Sequence, residues 1–166
     1  MDASLADNIA LNYFGNDVIN VERLYEVVRQ AQLEDFVNSL PEGLDTRIGH
    51  SAMRLSGGEG QRILVARALY RDAILLIFDE ATSALDKVTE RKIMNAVLSA
   101  SHNKSVLIIT HEPDVFEASD QVVFMKNGQV EALGSYQDLP QSSPEFAEFA
   151  GHQALPNEST RVHTPA

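Results

Sequence analysis

The sequence has no cysteine, so disulfides and thiolate metal sites are excluded, and the composition suits a reducing compartment. It is poor in positive charge: 13 Lys and Arg stand against 24 Asp and Glu, for a formal net charge of −11. A nucleic-acid surface needs a basic stripe, and this balance argues against one. A local anion site stays open, because backbone amides at a helix N-terminus bind phosphate without net positive charge. No run of about 18 apolar residues occurs, so nothing reads as a membrane span. The first residues lack the basic and apolar regions of a secretory signal. What is present is 166 residues with 44% hydrophobic content, enough for one ordinary core.

The chain divides into three stretches. Residues 1–71 read as helices and loops. "SLADNIAL" opens on a cap at Ser4, and "NVERLYEVVRQAQ" has Asn20 as cap ahead of apolar residues at helical spacing. "LEDFVNSLPEGLDTRIG" reads as a short helix ending in a turn around Pro41 and Gly43. Residues 72–140 change character. "AILLIFDE" and "SVLIITHE" are short continuous apolar runs, the pattern of parallel strands buried on both faces. Between them "DKVTERKIMNAVLSASHN" puts Ile93, Met94, Val97 and Leu98 on one helical face, giving a strand–helix–strand unit. "QVVFMKNGQVEALG" is a hairpin turning at Asn127-Gly128. Residues 141–166 hold a short helix and then an aperiodic Ser/Pro/Glu-rich tail, predicted to be disordered.

The chemistry-bearing residues gather where the apolar runs end. Ligands of open parallel sheets bind outside the carboxyl ends of the strands. Asp79 and Glu80 end the first run and His111 the second. Neighbouring strand residues point to opposite faces, so one carboxylate can face a metal-bound phosphate while the other faces an attacking water. An acidic pair there reads equally as a loop start and helix cap, and a lone histidine as structural or solvated.

"RLSGGEGQR", Arg54 to Arg62, poses a sharper question. Ser56 with Glu59 three residues on forms a capping box, which explains both of those residues. It does not explain Gly57 and Gly58 in the first helical turn, where glycine costs roughly 0.5–1 kcal/mol against alanine. Bare backbone makes sense if something approaches closely, and free amides with the positive end of the helix dipole suit a phosphate.

"LSGGEGQRILVARALYRDAILLIFDEATSALD", Leu55 to Asp86, closely resembles the signature motif, Walker B strand and D-loop of ABC-transporter ATPase domains in order, spacing and identity. The likeness runs from "SLADNIAL" to about Leu139. It implies an α/β fold: the helical subdomain of a P-loop NTPase plus the C-terminal part of its parallel-sheet core with a terminal β-hairpin. It also implies roles. Leu55, Ser56, Gly57, Gly58 and Glu59 would contact the γ-phosphate of ATP held by a partner domain. Asp79 would hold Mg²⁺, usually through water, and Glu80 would be the general base. Ser83 to Asp86 would be the D-loop at the dimer interface, and His111 the switch histidine. Ala81 in "DEATSALD", with "DNIAL" and "LPEGLDTRIG", resembles the exporter type, in which the ATPase is commonly fused behind a membrane domain. One departure precedes the signature. Gly49 is followed by His50, and Ala52 stands at the later glycine position, so the family's usual contact of that loop with the membrane domain does not carry over.

A second departure is larger. No G-x-x-x-x-G-K-[ST] occurs and no glycine precedes a lysine, so the phosphate-cradling loop is missing. The adenine-stacking aromatic and the Q-loop glutamine, which lie upstream in the family, are missing too. The resemblance therefore covers the second half of the domain. It implies three partners: an N-terminal ATPase half carrying Walker A, a second nucleotide-binding domain in a head-to-tail dimer, and a membrane domain, all at the cytoplasmic face. No nucleic acid is expected. The expected function is part of an exporter's ATP-hydrolysing domain. Two alternatives differ in class: a non-catalytic module that donates the signature motif or regulates a transporter, and a chromosome-maintenance ATPase, which the residues after the signature and the acidic balance fit less well.

Overall fold

The computed structural model describes residues 3–14, 17–49, 53–100 and 104–151. They fall into two compact units, Met1–Thr110 and His111–Ala166. No helix among them is long and apolar enough to cross a membrane.

The first unit begins with a two-residue strand β1 (Ala3–Ser4) and helix α1 (Leu5–Ala10), capped by Ser4, whose side chain accepts from the Asp7 amide. Helix α2 (Val21–Gln30) is capped by Asn20 accepting from the Arg23 amide, as expected from the sequence. Helix α3 (Glu34–Ser39) and a 3-10 turn (Gly43–Asp45) lead to β2 (Arg47–Ile48), which pairs antiparallel with β1. Two-residue strands carry too little pattern to read from sequence. Helix α4 (Gly57–Tyr70) follows, buries Ile63, Val65, Ala66 and Leu69, and packs against α1 and α2. Then come β3 (Leu75–Asp79), α5 (Lys87–Ser99) and β4 (Ser105–Ile109), the strand–helix–strand unit. The two strands pair in parallel, Leu75 opposite Ser105 through Asp79 opposite Ile109. On α5, Ile93, Met94 and Val97 are buried, and Leu98 is half-buried.

The strands correct one expectation. They were read as buried on both faces, yet they alternate. Leu76 and Phe78 are each 3% exposed, whereas Leu75 is 51%, Ile77 57%, and Leu107 and Ile109 both 49% exposed. The inner face shares one core with Leu5, Ile9, Leu33, Val65, Ile93 and Val97. The outer face has no layer over it among the described residues. A continuous apolar run predicts a strand covered on both sides, and the described residues supply the cover for one side.

The second unit starts with α6 (Pro113–Glu117) and continues through β5 (Val122–Lys126) and β6 (Gln129–Gly134), the expected hairpin. Asn127 at φ 51° and Gly128 at φ 76° form its turn, the left-handed pair that matches strand twist. Helices α7 (Leu139–Ser142) and α8 (Pro144–Phe149) close the unit. Its core gathers Phe116, Val122, Leu139 and Phe146, with Phe124 edge-on to Phe146 at 5.5 Å. The expected disordered tail falls mostly on residues 152–166, outside the described residues, as do His50 and Ala52.

Candidate functional site

The candidate site is built where α4 begins and where β3 runs into α5. At the head of α4 the capping box is complete. The Ser56 amide donates to a Glu59 carboxylate oxygen at 2.7 Å, and the Glu59 amide donates to Ser56 Oγ at 3.2 Å. Leu55 is half-buried against the core. A three-residue spacing in the sequence thus becomes a fixed helix start whose leading amides point away from the helix body.

Gly57 and Gly58 stand beside the loop that follows β3. A Cβ at Gly57 would meet Ala84 Cβ at 3.6 Å, and one at Gly58 would meet Leu85 Cδ2 at 3.3 Å and the Ala84 carbonyl oxygen at 3.4 Å. The bare backbone therefore admits a segment of this same chain. The sequence posed the question of what comes close, and it could not name a loop more than 20 positions away.

Asp79 is the last residue of β3, on the exposed face with Leu75 and Ile77. Glu80 is not in the strand. It sits at φ 44°, in the left-handed region that costs a non-glycine residue roughly 1–2 kcal/mol. Two backbone bonds hold it there: the Glu80 amide donates to the Ile109 carbonyl at 3.0 Å, and the Ser83 amide donates to the Glu80 carbonyl at 3.2 Å. The divergence of the two carboxylates was argued from strand alternation. At Glu80 the chain has already left the strand, so alternation does not apply across the pair. Both residues are exposed at the strand's carboxyl end.

The loop itself is tied at several points. Thr82, buried, donates its hydroxyl to the buried Glu90 carboxylate at 2.7 Å, and Lys87 approaches the other Glu90 oxygen at 3.3 Å. The Ser83 hydroxyl accepts from Gln61 Nε2 at 3.0 Å. The Ala84 amide donates to Gln61 Oε1 at 2.8 Å. Asp86 caps α5, accepting from the Val88 and Thr89 amides at 3.1 and 3.0 Å and from the Thr89 hydroxyl at 2.6 Å. That hydroxyl above all, with the Thr89 amide, pulls the Asp86 carboxyl below its ordinary pKa. Sequence reading missed Thr82, Glu90 and Gln61. Thr82 and Glu90 sit in a local pattern of polar residues at a helix start; for Gln61 no local signal exists.

His111 lies in the second unit, exposed, with Nε2 3.5 Å from a Glu112 oxygen. Among the described residues no three His, Cys, Asp or Glu side chains are grouped to hold a metal. An exposed carboxylate at a strand end, here Asp79, still fits Mg²⁺, which is usually held by one or two carboxylates together with water and substrate phosphates.

Comparison with known proteins identifies the family. The family profile described as ABC transporter matches residues 3–83. The chain is 40% identical over 136 residues to an ATP-dependent lipid A-core flippase of Cupriavidus metallidurans, covering 82% of this chain and 23% of that protein. It is 35% identical over 162 residues to the beta-(1→2)glucan export ATP-binding/permease protein NdvA of Agrobacterium vitis, covering 98% of this chain and 27% of the relative. A solved structure of a bacterial Atm1-family ABC exporter with ATP bound superposes with a TM-score of 0.77 at 31% identity, over 92% of this chain and 26% of that one. The chain thus spans about a quarter of the length of the relatives it matches. These names favour the exporter reading over a regulatory module. The chain belongs to the ABC-transporter family of ATP-binding domains, exporter type, and corresponds to part of such a domain.

Proposed function

We propose that this chain forms the signature-bearing part of an ATP-hydrolysing domain that drives transport across a membrane, working at the cytoplasmic face. The observation that carries the reading is the pairing of the α4 N-terminus with the loop that leaves Asp79 and Glu80. Phosphoryl transfer asks a protein mainly for charge stabilisation and a positioned water. The α4 amides from Ser56 to Glu59 would meet the γ-phosphate of a nucleotide held by a second domain. Asp79 would hold Mg²⁺ through water; the ion would neutralise phosphate charge. Glu80 would orient the attacking water and accept its proton, and His111 would contact the γ-phosphate.

Three partners follow: a segment carrying the phosphate-binding loop, a second nucleotide-binding domain head-to-tail, and a membrane domain. The bare apolar face of β3 and β4, from Leu75 and Ile77 to Leu107 and Ile109, supports the first, since such a face is stable only when covered. The substrate moved is a property of the membrane domain.

The test is Glu80→Gln in a full-length subunit. The amide keeps the shape but accepts no proton, so hydrolysis should fall by about 10²-fold or more while ATP binding persists. Near-normal turnover would reduce Glu80 to an ordinary turn carboxylate. For this chain alone, calorimetric titration should detect little or no Mg·ATP binding.

A further inference from the structure

Gln61 is accounted for by neither the capping box nor the acidic pair. It lies on the turn of α4 that follows the glycines, and its side-chain amide spends both of its functions on one loop. Nε2 donates to Ser83 Oγ and Oε1 accepts from the Ala84 amide, at 3.0 and 2.8 Å. The two partners fix which way the amide faces, because a flipped amide would set its NH₂ group against the Ala84 N–H. On the same side of α4, Ala84 and Leu85 lie close against the backbone of Gly57 and Gly58, 3.3–3.6 Å from where Cβ atoms would stand. The loop's ends belong to α5 instead, through the Thr82–Glu90 bond and the Asp86 cap. Its middle is therefore held to α4 by Gln61 and by glycine contacts.

We propose that Gln61 is a positioning residue that locks Ser83 and Ala84 to the first turns of α4. The signature turn and the loop leaving Glu80 then move as one body. The functional consequence rests on the ATPase reading above. In that reading the α4 amides serve a nucleotide held by another domain, whereas Glu80 serves the nucleotide of its own. The Ser83 amide is bonded to the Glu80 carbonyl. A shift of α4 on meeting a phosphate is thus passed through Gln61 and Ser83 to the backbone that sets the general base. Gln61 couples the two composite sites without touching either nucleotide.

The test uses full-length subunits carrying Gln61→Leu, Gln61→Glu or Ser83→Ala. Hydrogen exchange at the Ala84 amide reads the bridge, and steady-state kinetics read its consequence. Gln61→Leu should speed Ala84 exchange by about tenfold, the effect of one lost hydrogen bond. It should lower kcat by about tenfold with KM for ATP little changed, since no group that binds nucleotide is removed. Gln61→Glu keeps the acceptor for the Ala84 amide, and the Ser83 hydroxyl can turn to donate to the carboxylate, so it should restore slow Ala84 exchange and most of kcat. Ser83→Ala removes one of the two bonds, so its kcat should fall between that of the unmodified subunit and that of Gln61→Leu. Unaltered Ala84 exchange in Gln61→Leu would overturn the bridge. Faster exchange with wild-type kcat and KM would overturn the coupling and leave a merely structural contact. If the unmodified subunit turned over no ATP, the ATPase reading would fall, and the bridge would be judged on Ala84 exchange alone.

Discussion

The helical region around α4 and the β3–β4 sheet share a core but differ in how far they complete themselves. In the helical region even the exposed ends of helices find partners within the chain. Arg67 Nε donates to the Asn8 carbonyl in the last turn of α1 at 2.9 Å. An Arg62 nitrogen donates to the Gln32 carbonyl just beyond α2 at 2.6 Å, and Arg23 donates to the Leu69 carbonyl near the end of α4 at 3.0 Å. The Asn8 and Leu69 carbonyls are ones a helix terminus leaves without intrahelical donors, and the Gln32 carbonyl belongs to the turn between α2 and α3. The sheet is different: it is two strands wide and bare on the face that also carries Asp79. The difference teaches that the start of α4 is braced from within the chain, while the end of β3 has cover on one face among the described residues.

The contrast breaks most visibly at Leu33. It is fully buried between α2 and α3 in the shared core. Leu33→Ala should destabilise this chain by about 2–5 kcal/mol, the usual range for a buried leucine. Denaturant unfolding checks it, and a loss below about 1 kcal/mol would mean that the helical region is loosely packed.

Ile77 sharpens the comparison. In this chain Ile77→Ala removes a side chain already in water, so the change should stay within about 0.5 kcal/mol. In a full-length subunit, where the proposed segment covers the outer face, the same substitution should cost about 2 kcal/mol or more. Equal effects in the two settings would show that nothing covers the sheet, and the partner proposed for it would have to be abandoned.

Which parts were legible follows from the range of the interactions that made them. Caps at Ser4, Asn20 and Ser56 are set within three residues, and each formed as its sequence predicted. The Asn127-Gly128 turn is equally local. The strands were legible as strands because Leu75 to Phe78 and Val106 to Ile109 are apolar runs. Their burial was not, since a continuous apolar run predicts cover on both faces and the described residues cover one. Glu80 is legible as an acidic residue at the end of an apolar run, and its expected role as what the family resemblance implies, but its left-handed backbone depends on the Ile109 carbonyl, far along the chain. Gln61 was invisible for the same reason: both its partners lie beyond any local pattern.

The smallest expected effect lies where the two regions are pinned by charge. Asp72, in the turn after α4 at φ 56°, receives Lys104 Nζ from the start of β4 at 2.7 Å and an Arg23 nitrogen from α2 at 3.3 Å. The hydrogen bond from Lys104, then that from Arg23, holds its carboxyl below the ordinary aspartate value. A carboxyl whose pKa is lower in the folded state adds stability above its unfolded pKa, and the gain disappears as pH falls through the lowered folded value. Asp72 is exposed, so solvent and salt screen the pair and the gain is small. Asp72→Asn is the clean variant, because asparagine tolerates the left-handed backbone as aspartate does. It should lower the melting temperature slightly at neutral pH and low salt. The gap should narrow in high salt and close on acidification below the ordinary carboxylate range. A gap that persists in strong acid would assign the loss to packing at the turn, and one that widens would contradict the sign of the linkage.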